Sequence, residues 1–374
     1  MKLPSRLQDY IDQDLQRKRL VRAASSDACI TIEGQTLINF SGNDYLGLSQ
    51  HPKIKQAMIA GIEEFGFGSG ASSYVTGYTE AHQTCEQAYA EFLGYPRGLL
   101  FGSGYLANIG VLSALATAHH VVLHDQFNHA SLIDGVRLAG LDALRYRHCQ
   151  AQHCQERLKH LTKTPIIMSD GVFSMTGSIA PVAELRKLSD LMIIDDAHGF
   201  GVLGDSGRGV SELTNTQPDV LILPMGKAPG GYGAMVLGSD EIIETILQFS
   251  RSAIYSTALP PAVAIGLTES LSVLQQESWR RERLHHIIDS VQARLSQWLA
   301  YPSKTPIFCL PLQTNARALA FEQHCRDRGI LARAMRYPTV PKGKPQLRLT
   351  VSALHTDEQL EHLFLTLEHA YATL

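Results

Sequence analysis

Lys227 stands between Gly226 and Ala228, with a glycine pair at Gly230–Gly231, and follows the apolar run Val220-Leu221-Ile222-Leu223. Four consecutive apolar residues read as a strand buried on both faces, the kind found in parallel sheets. Such strands end in Gly-rich turns at the carboxyl edge of an open α/β sheet, where ligands bind. A lysine held there against apolar walls loses hydration, which favours the free amine over the ammonium. A free amine is a nucleophile or a base, which is what a Schiff-base lysine requires. The alternative is a solvated lysine in a glycine loop, and other residues must decide between the two.

Four further groups sit where short apolar runs end. Phe101-Gly102-Ser103-Gly104-Tyr105-Leu106-Ala107-Asn108 follows a strand and opens a helix, so the Gly104 and Tyr105 amides offer an anion site. The same stretch spells G-x-G-x-x-A, with Asp125 ending the next strand roughly twenty residues on, the pattern of a dinucleotide site. A nicotinamide-dependent dehydrogenase is therefore a competing reading. Ile193-Ile194-Asp195-Asp196-Ala197-His198-Gly199 places two carboxylates and an imidazole at a buried strand end, where desolvation demands partners. Asp195, nearest the apolar run, is expected to be the more buried of the two. This run reads as a metal site, as a helix cap, or as a carboxylate aimed at a pyridinium nitrogen. The last option calls for a lysine at a neighbouring strand end. Gln126-Phe127-Asn128-His129-Ala130-Ser131 supplies an imidazole that either caps the helix beginning at Ser131 or stacks on a ring. Ser169-Asp170-Gly171-Val172-Phe173-Ser174-Met175-Thr176-Gly177 follows another strand and delivers Ser174. Five strand ends then converge on one edge.

The elements that must position these groups alternate along the chain. A helix is expected from Ser5 to Arg22, then Asp27, a hairpin over Cys29–Gly34 and a strand at Leu37–Phe40. Ser41-Gly42-Asn43-Asp44-Tyr45-Leu46-Gly47-Leu48 reads as a polar loop, Pro52 opens a helix to about Phe65, and Gly66–Ser73 is too glycine-dense for core. From Thr79 to Ile194 helix and strand alternate. Strands are expected at Leu99–Phe101, Val121–Leu123, Ala143–Tyr146, Pro165–Met168 and Leu191–Ile194, joined later by Val220–Leu223 and Ala234–Leu237. Repeated β-α units of this kind make a mostly parallel sheet with helices on both faces. Pro261 to Ala300 reads as two helices meeting near Gln276, leading to a smaller α/β region with strands at Ile307–Leu310, Ile330–Ala332 and Leu347–Thr350. The expected division is residues 1–50, an N-terminal helix and hairpin; 51–260, the large α/β domain; and 261–374, a linking helix and small C-terminal domain.

Composition bounds the function. The chain has 374 residues, 44% hydrophobic and 18% charged, with a formal net charge of −3, which argues against nucleic acid or an acidic membrane as partner. Cys29, Cys85, Cys149, Cys154, Cys309 and Cys325 are scattered without a C-x-x-C pair, the pattern of reduced thiols in a cytoplasmic protein. Polar residues after Met1-Lys2-Leu3-Pro4-Ser5 lack the apolar segment of a signal peptide, and no run of 18 apolar residues is present, so no membrane span is expected.

Asp195-Asp196-Ala197-His198-Gly199, Gly226-Lys227-Ala228 and Asn43-Asp44-Tyr45-Leu46-Gly47 together resemble the α-oxoamine synthases, pyridoxal-phosphate (PLP) enzymes of the aspartate-aminotransferase fold, known as fold type I. The resemblance runs from about Asn39 to His355. Gly66-Phe67-Gly68-Ser69-Gly70 with Val75-Thr76-Gly77, and Pro338-Thr339-Val340-Pro341 with Leu347-Arg348-Leu349-Thr350, are most similar to one branch. That branch joins L-alanine to a pimeloyl thioester, on coenzyme A or acyl carrier protein, in biotin biosynthesis. The glycine C-acetyltransferase and 5-aminolevulinate branches are the near alternatives. The resemblance implies that Lys227 carries PLP covalently and removes the substrate proton, with Asp195 on the pyridine nitrogen. It implies His198 at the phenolic oxygen with Ser174 near it, His129 stacked on the ring, and the Gly104 and Tyr105 amides on the phosphate. Ser256 and Thr257 would reach the phosphate across a homodimer interface. Asn43 and Arg348 would meet the amino-acid carboxylate, while Thr339 and Arg22 would touch the acyl substrate, with Arg17 and Arg19 equally in reach. It implies no metal. Two departures stand out. Pro224 replaces the hydroxyl residue usual three positions before the lysine, and Pro229 replaces a hydrophobic or aromatic one just after it.

Overall fold

The apolar runs ahead of Lys227, Asp195, Ser174, His129 and Gly104 become strands of one sheet. The protein, a computed structural model, is described over residues 5–374 apart from 14, 17, 18, 24–27 and 160. Two compact units are present. The larger comprises Asp44–Ser174 and Ser178–Arg283; the smaller comprises the described residues up to Asn43, Met175–Gly177 and Leu284–Leu374.

The sheet of the larger unit has seven strands in the order Arg97–Phe101, Ala234–Gly238, Val220–Pro224, Leu191–Asp195, Thr164–Asp170, His120–Asp125, Asp142–Tyr146. Ala234–Gly238 runs antiparallel to both its neighbours, and the other pairings are parallel. Every residue of Val220–Pro224 is buried, as a central strand covered on both faces requires. Alternate strand residues, among them Phe101, Val122, Ile166, Ile193, Ile222 and Val236, pack in one apolar cluster with helix residues Val111, Leu132, Val136, Ile243 and Ile246. Each such side chain, fully buried, contributes roughly 1.5–3 kcal/mol relative to exposure. That packing fixes the strand ends.

The helices begin where local chemistry satisfies their first amides. Ser103 caps Gly104–Leu115 by accepting from the Leu106 amide at 3.2 Å, and Pro52 occupies the first turn of Pro52–Phe65, where a missing N–H costs nothing. The helix Asp240–Phe249, capped by Ser239, is absent from the sequence reading. Its Ile243 and Ile246 close the cluster over the sheet.

Two expectations change. The helix expected over Ser5–Arg22 covers Ser5–Asp12; Arg22 instead forms a β-bridge with Ile32, and Asp27 lies outside the described residues. The compact units do not divide at 50/51 and 260/261. Helix Pro261–Gln276 packs on Pro52–Phe65 and Glu80–Leu93, burying Ala262, Leu267, Leu271 and Leu274, so it belongs to the larger unit. The change of unit falls inside the next helix, Trp279–Leu295.

In the smaller unit, Cys29–Ile32 pairs with Gln35–Asn39, so the hairpin extends beyond the expected Cys29–Gly34 and takes most of the strand expected at Leu37–Phe40 as its second arm, with Ile330–Leu331 parallel to that arm. A second sheet orders Ile307–Pro311, Gln346–Thr350 and Arg333–Met335, with Arg348 on the central strand opposite Cys309 and Arg333. Among the described residues no helix is long and apolar enough to cross a membrane.

Candidate active site

Lys227 follows the last residue of Val220–Pro224 by three positions, in a turn closed by its own backbone. The Met225 amide donates to the Gly233 carbonyl at 2.9 Å, the Gly230 amide to Lys227 O at 2.8 Å, and the Gly231 amide to Met225 O at 2.9 Å. Gly230 has φ +69°, and a Cβ there would collide with the Ser49 amide and the Leu48 carbonyl carbon. Only glycine allows this approach, which seats the lysine turn against the loop carrying Tyr45–Leu48.

On the adjacent strand Asp195 is 3% exposed. Its Oδ2 accepts from Asn108 Nδ2 at 2.7 Å and its Oδ1 from the Ala197 amide at 3.1 Å. Strand register places Asp195 directly beside Asp170. Burial, and then the Asp195 charge, push the Asp170 carboxyl well above the usual carboxylate range, and Lys227 acts in the opposite direction. Two buried carboxylates and an amine therefore share one electrostatic neighbourhood. Asp170 Oδ2 accepts from the His129 amide at 2.7 Å, so the same carboxyl fixes the start of the helix Ala130–Leu138.

Asp196 is the more buried of the two acids at 0% exposure, against the expectation that Asp195 would be. It points away from Asp195's partners: its Oδ2 accepts from the Val210 amide at 2.8 Å, and a Cβ at Gly199 or Gly209 would collide with its carboxylate. Burial raises its pKa to about 7. His198 takes a third direction, with Nδ1 2.7 Å from the Tyr45 hydroxyl. The three side chains of the Asp-Asp-x-His run thus have separate partners, which removes the metal reading of that run. Asp125 is likewise committed, accepting from the Phe127 amide at 2.8 Å and the Cys149 amide at 2.7 Å, with His148 Nδ1 at 3.0 Å. The dinucleotide reading loses its ribose partner.

His129 fulfils one of its two expected roles: its Nδ1 accepts from the Ser131 amide at 3.3 Å and caps the helix. The residue is nonetheless exposed. Gly104 and Tyr105 are the first residues of Gly104–Leu115, without a carbonyl four residues back inside the helix. Tyr105 is 43% exposed, and its hydroxyl bonds Asp134. Ser174 is half-buried. Ser256 and Thr257 lie beyond the short helix Arg251–Ile254 and line a cavity of about 530 Å³ together with Gly102, Tyr74 and Tyr78. Lys227, Asp195, His198, His129, Ser174, Gly104, Tyr105, Ser256 and Thr257 all belong to the larger unit.

Arg22, Asn43, Thr339 and Arg348 belong to the smaller unit. It brings two of them together: Arg348 Nη2 donates to Asn43 Oδ1 at 3.3 Å, and Arg348 is only 6% exposed. Thr339 and Arg22 are exposed, and Arg17 lies outside the described residues. A buried guanidinium on a rigid strand is suited to a carboxylate, which it meets with two parallel donors.

The donor set fits PLP: helix-start amides for a phosphate, an amine among buried carboxylates for a covalent anchor, an acceptor carboxylate for a ring N–H, and an exposed histidine. Sequence reasoning missed Tyr45, Asn108, Asp170 and Ser131 as site residues, although each stands inside a stretch singled out above. Their partners lie up to 153 positions away, and pairing over that distance leaves no local signal.

The family model described as aminotransferase class I and II matches residues 35–367. The chain belongs to that family. Among curated members of known name, the 8-amino-7-oxononanoate synthase of Stutzerimonas stutzeri is 41% identical over 382 residues, covering 100% of this chain and 97% of the relative. Among solved members, the serine palmitoyltransferase of S. paucimobilis, determined with PLP and myriocin bound, superposes with a TM-score of 0.93 at 27% identity over 98% of this chain and 96% of that one. The 8-amino-7-oxononanoate synthase of Francisella tularensis superposes with a TM-score of 0.80 at 32% identity over 90% of this chain and 99% of that one. The aspartate-aminotransferase-like α/β fold expected from the motifs is the fold of this family member.

Proposed function

We propose that the chain catalyses the PLP-dependent condensation of L-alanine with a pimeloyl thioester, releasing carbon dioxide and 8-amino-7-oxononanoate in biotin biosynthesis. The reading rests above all on full-length identity of 41% to a synthase of that name, joined to a lysine turn and buried carboxylates at one sheet edge. When bound, PLP supplies the electron sink that stabilises a carbanion at the amino-acid α-carbon. The protein's own groups do the rest. Lys227 Nζ would anchor the cofactor covalently and serve as the base at the amino-acid α-carbon. Asp195, held by Asn108 and the Ala197 amide, keeps the pyridine nitrogen protonated. His129 would hold the ring, His198 and Ser174 the phenolic oxygen, and the Gly104 and Tyr105 amides the phosphate. Arg348 and Asn43 bind the alanine carboxylate, and Arg22 and Thr339 the acyl chain. The working form is a cytoplasmic homodimer in which Ser256 and Thr257 act on the partner's phosphate.

The test is direct. Purified protein supplied with PLP, L-alanine and pimeloyl thioester releases carbon dioxide and a product of the mass of 8-amino-7-oxononanoate. Its visible band is bleached by borohydride. Lys227→Ala abolishes turnover, because one residue is both anchor and base. Near-normal condensation by that variant, or a preference for glycine with an acetyl thioester, overturns the proposal.

A further inference from the structure

Asn108 is 1% exposed and Ser131 is 1% exposed, and neither is accounted for by helix formation alone. Asn108 Nδ2 lies 2.7 Å from Asp195 Oδ2 and 2.8 Å from Ser131 Oγ. Ser131 Oγ in turn lies 2.7 Å from His129 Nδ1, and the Ser131 amide points at the same nitrogen from 3.3 Å. A continuous chain of short hydrogen bonds therefore runs from the Asp195 carboxylate to the His129 ring, across three elements of the larger unit.

The direction of each proton follows from donor counting. A carboxylate only accepts, so the Asn108 atom facing Asp195 is the amide nitrogen; the flipped amide would set oxygen against oxygen. That nitrogen has two hydrogens, one for Asp195 and one for Ser131 Oγ. The amide oxygen has no partner, which agrees with the nitrogen making both contacts. Ser131 Oγ, having accepted from Asn108, has its own hydrogen left to donate, and His129 Nδ1 is the acceptor at 2.7 Å. The Ser131 amide is a second donor to that nitrogen. Two donors on one ring nitrogen require a lone pair there, so the ring proton is on Nε2.

We propose that Asn108 and Ser131 are positioning residues that tie the Asp195 carboxylate to the His129 ring and hold His129 as the Nε2–H tautomer. The inference rests on the assignment of Asp195 to the cofactor's ring nitrogen and of His129 to its ring face. Asn108 keeps the Asp195 carboxylate at a set rotation. Ser131 keeps the imidazole from turning about its Cβ–Cγ bond, because a half-turn would move Nδ1 away from both donors. Cooperative polarisation along such a chain strengthens each bond. The ring's Nδ1 is thereby withheld from proton transfer, and only Nε2–H faces outward.

The experiment is long-range proton–nitrogen correlation on the PLP-loaded protein with nitrogen-labelled histidine, the His129 signals being assigned by their loss in His129→Gln. Wild type is expected to show an unprotonated, hydrogen-bonded Nδ1 and a protonated Nε2. In Ser131→Ala the Nε2–H to Nδ1–H ratio falls about fivefold, the worth of one ordinary hydrogen bond. Ser131→Thr, which keeps the hydroxyl, restores it. Asn108→Leu, which touches His129 only through Ser131, shifts the ratio in the same direction by a smaller factor. A wild-type ring protonated at Nδ1, or identical ratios in wild type and Ser131→Ala, overturns the proposal. Ser131→Ala and Ser131→Thr decide it even where Asn108→Leu does not fold. The ring readout does not depend on turnover, so a protein that fails to condense L-alanine yet shows these shifts would refute the proposed reaction and leave the relay standing.

Discussion

Two adjacent aspartates, both buried, do different work because their oxygens face different partners. Asp195 meets the Asn108 amide on the side of the candidate site, while Asp196 meets the Val210 amide in the scaffold behind it. Asp195→Asn is therefore expected to cost at least roughly a hundredfold more activity than Asp196→Asn, the scale of a lost electrostatic partner in a transition state. Equal losses would show that the wrong carboxylate has been placed at the ring nitrogen. Asp196 has its own signature in stability. Burial raises its carboxyl to about 7 in the folded chain, whereas an unfolded aspartate titrates near ~3.9. Between those values the folded chain keeps a proton that the unfolded chain has released. Stability therefore falls as pH rises through this window and levels off above it. Asp196→Asn has no proton to lose. Thermal unfolding at pH 5 and pH 8 is expected to show the variant gaining on wild type at the higher pH, by a few kcal/mol at most. Parallel curves for the two proteins would refute this account of the buried acid.

At the scale of elements, the end of one strand meets the start of one helix. A Cβ on Gly104 would lie 2.6 Å from Pro224 Cγ and 2.9 Å from Pro224 Cβ, so the pyrrolidine packs against the first turn that offers its amides to a phosphate. Pro224 has neither hydroxyl nor N–H to contribute. Pro224→Thr is expected to tighten PLP binding, since one hydrogen bond to a charged group is worth about 1.5–3 kcal/mol. That sets a ceiling of roughly ten- to a hundredfold in affinity. The loss of proline's restriction on the unfolded chain subtracts ~0.4–1 kcal/mol of stability. Dialysis followed by PLP titration on the visible band measures the change, and an unchanged or weaker dissociation constant would mean that other donors already satisfy the phosphate. The same strand–helix alternation made much of the fold legible in advance. Buried parallel strands such as Val220–Pro224 and Leu191–Asp195 are continuous apolar runs, and their loops carry the polar residues, so the strand-end positions of Lys227, Asp195 and His129 were legible while their roles were implied by the family resemblance. The helix Asp240–Phe249 carries a readable signal, Ser239 as cap and Asp240 and Glu241 in its first turn. The contacts of Asn108 to Asp195 and of Tyr45 to His198 span 87 and 153 positions. No periodicity encodes them; the sheet order brings them together.

At the scale of the whole molecule, the larger unit exposes apolar side chains on segments that are themselves joined. Phe67 is 95% exposed, Val75 74% and Tyr255 72%, and Ser72 bridges Thr257 between them. Exposed aromatic and aliphatic groups of this size are characteristic of a surface that another chain covers. In the proposed homodimer a two-fold axis would use the same patch on both copies, and Ser256 and Thr257 of each copy would serve the site of the other. Mixing two inactive variants tests this. Lys227→Ala removes the anchor, and the double variant Ser256→Ala, Thr257→Ala removes the hydroxyls. If the hydroxyls act across the interface, a heterodimer concentrates both defects in one site and leaves its second site intact. Random re-pairing of equal amounts then places half of the molecules in heterodimers, each with one working site in two, and restores about a quarter of wild-type activity. If the hydroxyls act within their own chain, each heterodimer site carries one defect and mixing restores nothing. Co-expression of the two variants with distinct purification tags, followed by isolation of the doubly tagged species, isolates the heterodimer for assay. Half of wild-type activity in that species supports the shared site, and activity no higher than that of the parent variants refutes it.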